Sequence, residues 1–121
     1  MCVVDYLLAN TDRHDMNWGF QRTAPDWKIT GLHPLFDHNN AFDIEELQGH
    51  STRLSVLDYY STERKGLLHA AEKMINYADF KFTKPIPKSA FKLFGKNEKF
   101  IREAFLQRCE TLGIKVNISK F

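Results

Sequence analysis

The stretch that decides how this chain folds is Asn10-Thr11-Asp12-Arg13-His14-Asp15-Met16-Asn17. A further acid, Asp37, follows in the segment Leu35-Phe36-Asp37-His38. Side chains three or four positions apart share a helix face, so the five-residue step from Asp12 to Asn17 does not align them on one helix. We therefore predict a loop that curls back on itself at these residues.

The residue types in this loop suit the transfer of a phosphoryl group. A carboxylate can accept or orient the proton of an attacking hydroxyl, while an asparagine and a second carboxylate hold the Mg²⁺ that bridges nucleotide phosphates. Mg²⁺ takes one or two oxygen ligands from protein and leaves the rest to phosphate and water, so Asn17 and Asp37 are the predicted ligands. Asp12 is the predicted base, because a loop position can face the acceptor hydroxyl.

Apolar periodicity places this loop between a helix and a hairpin. Residues 2–9 carry apolar side chains at helical spacing, and the polar run that follows ends the pattern. Residues 18–23 and 27–30 are predicted strands around a proline turn. Because paired antiparallel strands double back, we expect the hairpin to bring Asn17 and Asp37 to the same end.

The sequence beyond residue 60 predicts helices. The first, after the N-cap candidates Ser61 and Thr62, has one apolar stripe. The stripe consists of Leu67, Leu68, Ala71, Met74, Ile75 and Ala78. Residues 38–60 show no sustained period, and both a substrate-facing segment and a surface loop remain open for them.

Two further helices are predicted near the carboxyl terminus. A short one runs from Ser89 to Phe94 and ends at Gly95, and a longer one starts at about Asn97 and stops at Gly113. The apolar face of the longer helix carries Ile101, Phe105, Cys109 and Leu112. The side chains of Phe91, Phe94, Phe100 and Phe105 are expected in the core rather than on a stacking platform.

The predicted fold class is mainly α with a small β-hairpin (α+β), in a single domain. The length of 121 residues and the hydrophobic fraction of 43% allow one globular core. We divide the domain 1–121 into residues 1–43, with the catalytic loop, hairpin and metal-binding segment, and residues 44–121, the helical remainder.

Composition also narrows the setting of the protein. Its two cysteines, Cys2 and Cys109, have neither metal-ligand spacing nor a disulfide framework, which favours a reducing compartment. The amino terminus lacks the basic region of a signal peptide, and no apolar run reaches the length of a bilayer span. We therefore expect a cytoplasmic protein with no membrane contact.

Charge is distributed unevenly along the chain. Residues 1–80 carry seven basic and twelve acidic side chains, a net charge of −5, whereas residues 81–121 carry ten basic and three acidic, a net charge of +7. A basic half can attract the phosphates of a nucleic acid. Here the lysines interleave with apolar positions, which favours the solvated face of an amphipathic helix, so direct nucleic-acid binding is not expected.

The quoted residues resemble a known family. The match runs from Tyr6 to Asp37, about a third of the chain, and its motifs are Asn10-Thr11-Asp12-Arg13-His14, Asn17-Trp18-Gly19-Phe20 and Pro34-Leu35-Phe36-Asp37. They resemble the HipA-like serine/threonine kinases, whose toxin members belong to bacterial toxin–antitoxin modules. The Asp-Arg-His-x-x-Asn core is more distantly similar to phosphatidylinositol kinases.

The resemblance implies the C-terminal lobe of a protein-kinase-like fold and a role for each matching residue. Asp12 would be the catalytic base, His14 would support the catalytic loop, and Asn17 and Asp37 would bind Mg²⁺. ATP would be the phosphoryl donor and substrate, and the acceptor would be a hydroxyl of a protein substrate.

The sequence departs from that family ahead of Asp12. A kinase grips the nucleotide phosphates with a glycine-rich loop and a lysine, and neither precedes Asp12 here. The N-terminal lobe is therefore expected to be absent, and the chain is expected to be a fragment, or to meet that lobe on another chain, and to be inactive alone. An antitoxin-type protein is the other partner that the resemblance implies.

Three alternatives stay open at this point. The loop could be a structural polar turn without chemistry. His14, His33 and His38 with Asp37 could form a transition-metal cluster, although their spacing fits no common pattern. The chain could also be a non-catalytic, kinase-derived binding module that contacts a protein or a nucleic acid.

Overall fold

The computed structural model contains helices and short strands and describes residues 1–14, 16, 18–35, 38, 41–49, 55, 66–77 and 79–121. The elements are α1 (Cys2–Leu7), β1 (Phe20–Arg22), β2 (Ile29–Leu32), α2 (Ile44–Leu47), α3 (Gly66–Ile75), β3 (Ile86–Pro87), a 3₁₀ segment (Lys88–Asn97), α4 (Glu98–Thr111) and β4 (Ile118–Ser119). The predicted α+β class is confirmed at this level. The predictions for Asn17, Asp37, the N-caps Ser61 and Thr62, and Ala78 lie outside the described residues.

The core forms where α1 and α4 pack together with α3 and the 3₁₀ segment. Each helix contributes the apolar side chains that its 3.6-residue period places on one face. The buried cluster consists of Val3, Tyr6, Leu7, Leu67, Ala71, Phe91, Phe105, Cys109 and Ile114. Because α1 is held in this core, the loop that follows it starts from a fixed point.

The predicted last helix is confirmed as α4, and its end shows why the sequence signal was reliable. Gly113 has φ 68°, a left-handed conformation that suits glycine. Its N–H donates to the Glu110 carbonyl and that of Ile114 to the Cys109 carbonyl, both at 2.9 Å. This is the Schellman arrangement, which satisfies the last carbonyls of the helix.

Two predicted details are wrong. Leu68 is 40% exposed, and Ala70 takes the buried place beside Leu67 and Ala71. Phe100 is 38% exposed rather than in the core. By contrast, the predicted short helix from Ser89 to Phe94 is confirmed within the 3₁₀ segment, and Gly95, with φ 53° and ψ −124°, is non-helical and interrupts its turns as predicted.

The predicted hairpin is present between β1 and β2. The strands are antiparallel, with Phe20 opposite Leu32 and Arg22 opposite Ile29, and a bulge lies between Gln21 and Arg22. Sequence periodicity did not reveal the second small sheet, in which β3 and β4 pair in parallel. Two residues per strand are too few to show a period, so only the folded chain brings these segments together.

The lysines of the basic half lie on the outside, as the amphipathic interpretation expects. The exposed lysines of this half include Lys81, Lys84, Lys88, Lys92 and Lys96.

Among the helices of the described residues, none combines the length and the apolar character needed to cross a bilayer.

Candidate active site

The loop that carries Asp12 begins where α1 ends. Ala9 has φ 47°, a left-handed conformation that is unusual for a residue with a side chain. The N–H of Ala9 donates to the Tyr6 carbonyl at 3.1 Å, and that of Asn10 to the Asp5 carbonyl at 2.8 Å. These two bonds form a Schellman end without glycine and direct the chain out of the helix.

A buried ion pair fixes the loop against α1. The side chains of Arg13 and Asp5 are 0% and 2% exposed, and Arg13 Nη2 lies 2.8 Å from Asp5 Oδ1. Arg13 Nε donates to both carboxylate oxygens at 3.1 Å. Removing one partner of a buried pair leaves the other charge uncompensated, at a cost of about 3–5 kcal/mol, so this contact holds the loop firmly.

Asn10 completes the anchor on the other side of Asp12. Its side chain is fully buried, and its Nδ2 donates to Asp5 Oδ1 at 3.4 Å. Its own Oδ1 accepts the backbone N–H of Asp12 at 3.2 Å. Asp12 therefore lies between two buried anchors, while its own side chain is exposed. An exposed carboxylate at a fixed position is what a base that meets an incoming hydroxyl requires.

The segment that follows β2 returns to this loop. His38 Nδ1 lies 3.4 Å from Arg13 Nη2. Further along, the N–H of Phe42 donates to the Leu8 carbonyl and that of Asp43 donates to the Ala9 carbonyl at 3.4 Å. The immediate neighbour of Asp37 in sequence is thus in contact with the immediate neighbour of Asp12.

The base of the hairpin brings its two flanks together. The N–H of His33 donates to the Gly19 carbonyl at 2.8 Å. The expectation that the hairpin doubles the chain back is confirmed for these two residues. Asn17 and Asp37 themselves lie outside the described residues, so their convergence on one ion stays a prediction.

His14 contacts its own loop. Its Nδ1 accepts the backbone N–H of Met16 at 3.1 Å, which requires the proton of a neutral ring to sit on Nε2. The side chain is half-buried. This contact fits a residue that supports the loop rather than one that faces the reacting groups.

The three histidines of the transition-metal alternative make separate contacts. No group of three or more histidine, cysteine, aspartate or glutamate side chains that could hold a metal ion occurs among the described residues, and these include His14, His33 and His38. His33 Nδ1 instead lies 2.7 Å from its neighbouring Pro34 carbonyl. The three imidazoles have separate partners.

Arg108 on α4 anchors the helix that delivers the loop. It donates to the Tyr6 carbonyl at 2.7 Å and to the Glu46 carbonyl at 2.8 Å. Its guanidinium carbon lies 4.5 Å from the centroid of the Tyr6 ring. Burial raises the pKa of the Tyr6 hydroxyl, and the nearby Arg108 charge offsets part of this effect.

Two cavities in the described part of the chain lie away from this loop. One, of about 490 Å³, has only apolar side chains in its lining, including Leu7, Phe82 and Phe105. The other, of about 480 Å³, is lined in part by Lys81, Lys84 and Lys115. Asp12 lines neither of these two cavities.

Sequence reasoning predicted roles for Asp12 and His14 but did not predict the groups that hold their loop. Asp5 interrupts the apolar run of residues 2–9 in the sequence. An acid among buried helix positions, with an arginine eight residues later, was the available signal, because a buried charge requires a partner.

Comparisons with protein-family models, with curated proteins and with solved structures found no match for this chain.

Proposed function

We propose that this chain carries the catalytic loop and the metal-binding segment of a HipA-like, ATP-dependent serine/threonine protein kinase, within a kinase-like C-terminal lobe. The observation that carries the proposal is the buried anchoring of the loop, which leaves Asp12 exposed between Asn10 and Arg13. A merely polar surface turn does not require a buried ion pair, because taking two charges out of water is costly.

In this proposal Asp12 accepts the proton of a protein hydroxyl. The hydroxyl oxygen forms a bond to the γ-phosphorus of ATP while the bond from that phosphorus to the β–γ bridging oxygen breaks. The products are a phosphorylated protein and ADP, and Asp12 later releases its proton to water. An exposed carboxylate suits a macromolecular acceptor that arrives from solvent.

Asn17 and Asp37 are the proposed Mg²⁺ ligands, because amide and carboxylate oxygens suit this hard cation. When bound, Mg²⁺ would neutralise charge on the nucleotide phosphates. The Gly19–His33 hydrogen bond and the contact of His38 with Arg13 support this assignment, since they join the segments that flank the two ligands. A lobe that grips the ATP phosphates, a protein substrate and an antitoxin-type protein are the proposed partners.

Metal titration of the purified chain tests the site. Mn²⁺ can replace Mg²⁺ as a spectroscopic probe, and its binding is followed by electron paramagnetic resonance. We expect Asp37→Ala and Asn17→Ala each to weaken Mn²⁺ binding by at least about tenfold, because each removes one of few protein ligands. Asp26→Ala, at an exposed hairpin position, is the matched control and should bind as the wild type does.

Phosphoryl transfer is tested with the chain joined to a lobe that binds ATP. Asp12→Ala should abolish protein phosphorylation and leave Mn²⁺ binding intact, because the base is not a metal ligand in this proposal. Wild-type phosphorylation by Asp12→Ala, or unchanged Mn²⁺ binding by Asp37→Ala, would reject the assignment. Partner binding that persists without any metal or nucleotide binding would favour the non-catalytic module.

A further inference from the structure

Asp5 contacts side chains that lie before and after the candidate base Asp12 in the sequence. Its Oδ1 accepts a hydrogen bond from Asn10 Nδ2 at 3.4 Å, on the amino-terminal side of Asp12. The same oxygen accepts from Arg13 Nη2 at 2.8 Å and from Arg13 Nε at 3.1 Å, on the carboxyl-terminal side. One carboxylate on α1 therefore contacts the loop on both sides of Asp12.

We propose that Asp5 is the positioning residue of the Asp12 loop. The inference rests on the proposed function, and it assigns to Asp5 a role that acts entirely through Asn10 and Arg13. The Asp12 side chain is exposed, and the backbone around it sets the position from which this side chain extends. That backbone is tied to Asp5 by the Asn10 side chain, which accepts the Asp12 N–H.

The influence of Asp5 extends to the segment beyond β2. Arg13 is oriented by Asp5 and, through Nη2, lies 3.4 Å from His38 Nδ1. A neutral His38 ring can accept this hydrogen bond only if the guanidinium plane faces it, and the bidentate contact of Nε with Oδ2 and of Nη2 with Oδ1 of Asp5 sets that plane. Asp5 thereby fixes the loop and the neighbour of Asp37 relative to one another.

A positioning role can be separated from a contribution to stability. Replacing both members of a buried ion pair with apolar residues of similar volume is often neutral or stabilising, whereas the geometry that the pair specified is lost. The double variant Asp5→Leu, Arg13→Met is therefore expected to fold, with a melting temperature lowered only by the loss of the acceptor for Asn10 Nδ2. Its loop should no longer be held at one position.

Amide hydrogen exchange, measured by NMR on the full chain, is the first readout. In the double variant, exchange at the Asp12 amide should rise at least about tenfold, while exchange along α4 stays within about twofold, because local opening is independent of global stability. The matched control is Glu98→Leu, Arg102→Met, which replaces an ion pair of 3.1 Å on α4. This control should leave exchange at Asp12 unchanged.

Mn²⁺ titration is the second readout, and a single variant guards against misfolding of the double one. Arg13→Lys keeps the charge but not the two-point contact, so it should fold, speed exchange at Asp12 and weaken Mn²⁺ binding by at least about fivefold. Asp5→Leu, Arg13→Met should weaken Mn²⁺ binding further. Both effects together support the positioning role.

The outcomes separate this inference from the proposed function. If the variants exchange at Asp12 and bind Mn²⁺ as the wild type does, Asp5 has no positioning role and the metal site stands. If the wild-type chain binds no Mn²⁺, the proposed function fails, and the exchange rates at Asp12 alone decide the role of Asp5. If exchange rises equally along α4 and at Asp12 in Arg13→Lys, the pair is merely structural and the inference is overturned.

Discussion

Asp5→Asn should destabilise this chain strongly although it changes the side chain by one atom. Asparagine keeps the shape of aspartate but removes the charge that compensates Arg13, whose side chain is 0% exposed. Leaving one partner of a buried pair uncompensated costs about 3–5 kcal/mol. The free energy of unfolding of such domains is about 5–15 kcal/mol, so the substitution should remove about a fifth or more of the total stability.

Urea unfolding followed by circular dichroism measures this loss. A change of that size corresponds to a fall in melting temperature of roughly 10–20 °C for a domain of this length. Asp26→Asn is the matched control, because the contacts of Asp26 are exposed: an ion pair with Lys28 at 3.9 Å and a hydrogen bond from the Thr23 hydroxyl at 2.8 Å, which an asparagine oxygen can still accept. The control should change the free energy of unfolding by less than about 0.5 kcal/mol.

Two results would contradict the reasoning. A loss below about 1 kcal/mol in Asp5→Asn would mean that Arg13 is hydrated rather than buried against a single acid. Equal losses in Asp5→Asn and in Asp5→Leu, Arg13→Met would mean that the cost comes from packing and not from an uncompensated charge.

Three further predictions concern α4 and its surroundings. Arg108→Met should lower the free energy of unfolding, measured in urea, by about 2–4 kcal/mol, because the Tyr6 and Glu46 carbonyls lose charged donors. An equal loss in Arg108→Lys would argue against the two-point contact. Gly113→Ala should lower the free energy of unfolding by about 1 kcal/mol. This loss comes from the left-handed backbone alone, since a Cβ at this position meets nothing within 4 Å. Gly19→Ala, where a Cβ is equally free of contacts, is the control and should leave stability unchanged. Burial raises the pKa of the Cys109 thiol to about 11. The thiol of the unfolded chain ionises first as pH rises, so the contribution of Cys109 to stability should be constant below about pH 8.5 and fall by roughly 2–3 kcal/mol towards pH 11. In urea unfolding, Cys109→Ala should no longer show this part of the loss of stability at alkaline pH. An unchanged dependence of stability on pH in this variant would refute the shift.

Local sequence signals determined the elements whose ends are fixed by residues within the same segment. α4 stops where Gly113 supplies a left-handed residue, and the hairpin forms around a proline turn between alternating strands. These features depend on contacts between residues close in sequence, which a linear reading can see. The order of Asp12, Asn17 and Asp37 likewise follows from the sequence alone, and so does the assignment of a loop to Asp12.

The end of α1 shows the limit of such signals. Ala9 takes the left-handed conformation that glycine takes after α4, although alanine disfavours it by about 1–2 kcal/mol. Nothing in the local sequence marks this turn. It is held because Asn10, next in the chain, is buried against Asp5.

The sequence by itself determined that a helix leads into a polar loop, that a hairpin follows, and that the loop carries residues suited to phosphoryl transfer. The tertiary structure alone decided that Asp5 lies 2.8 Å from Arg13, that Arg108 joins α4 to α1, and that Ala70 is buried in place of Leu68. The physical reason is burial. An acid in an apolar helix signals that a buried charge needs a partner, but the sequence does not say which basic residue supplies it, and the two pair because folding removes both from water.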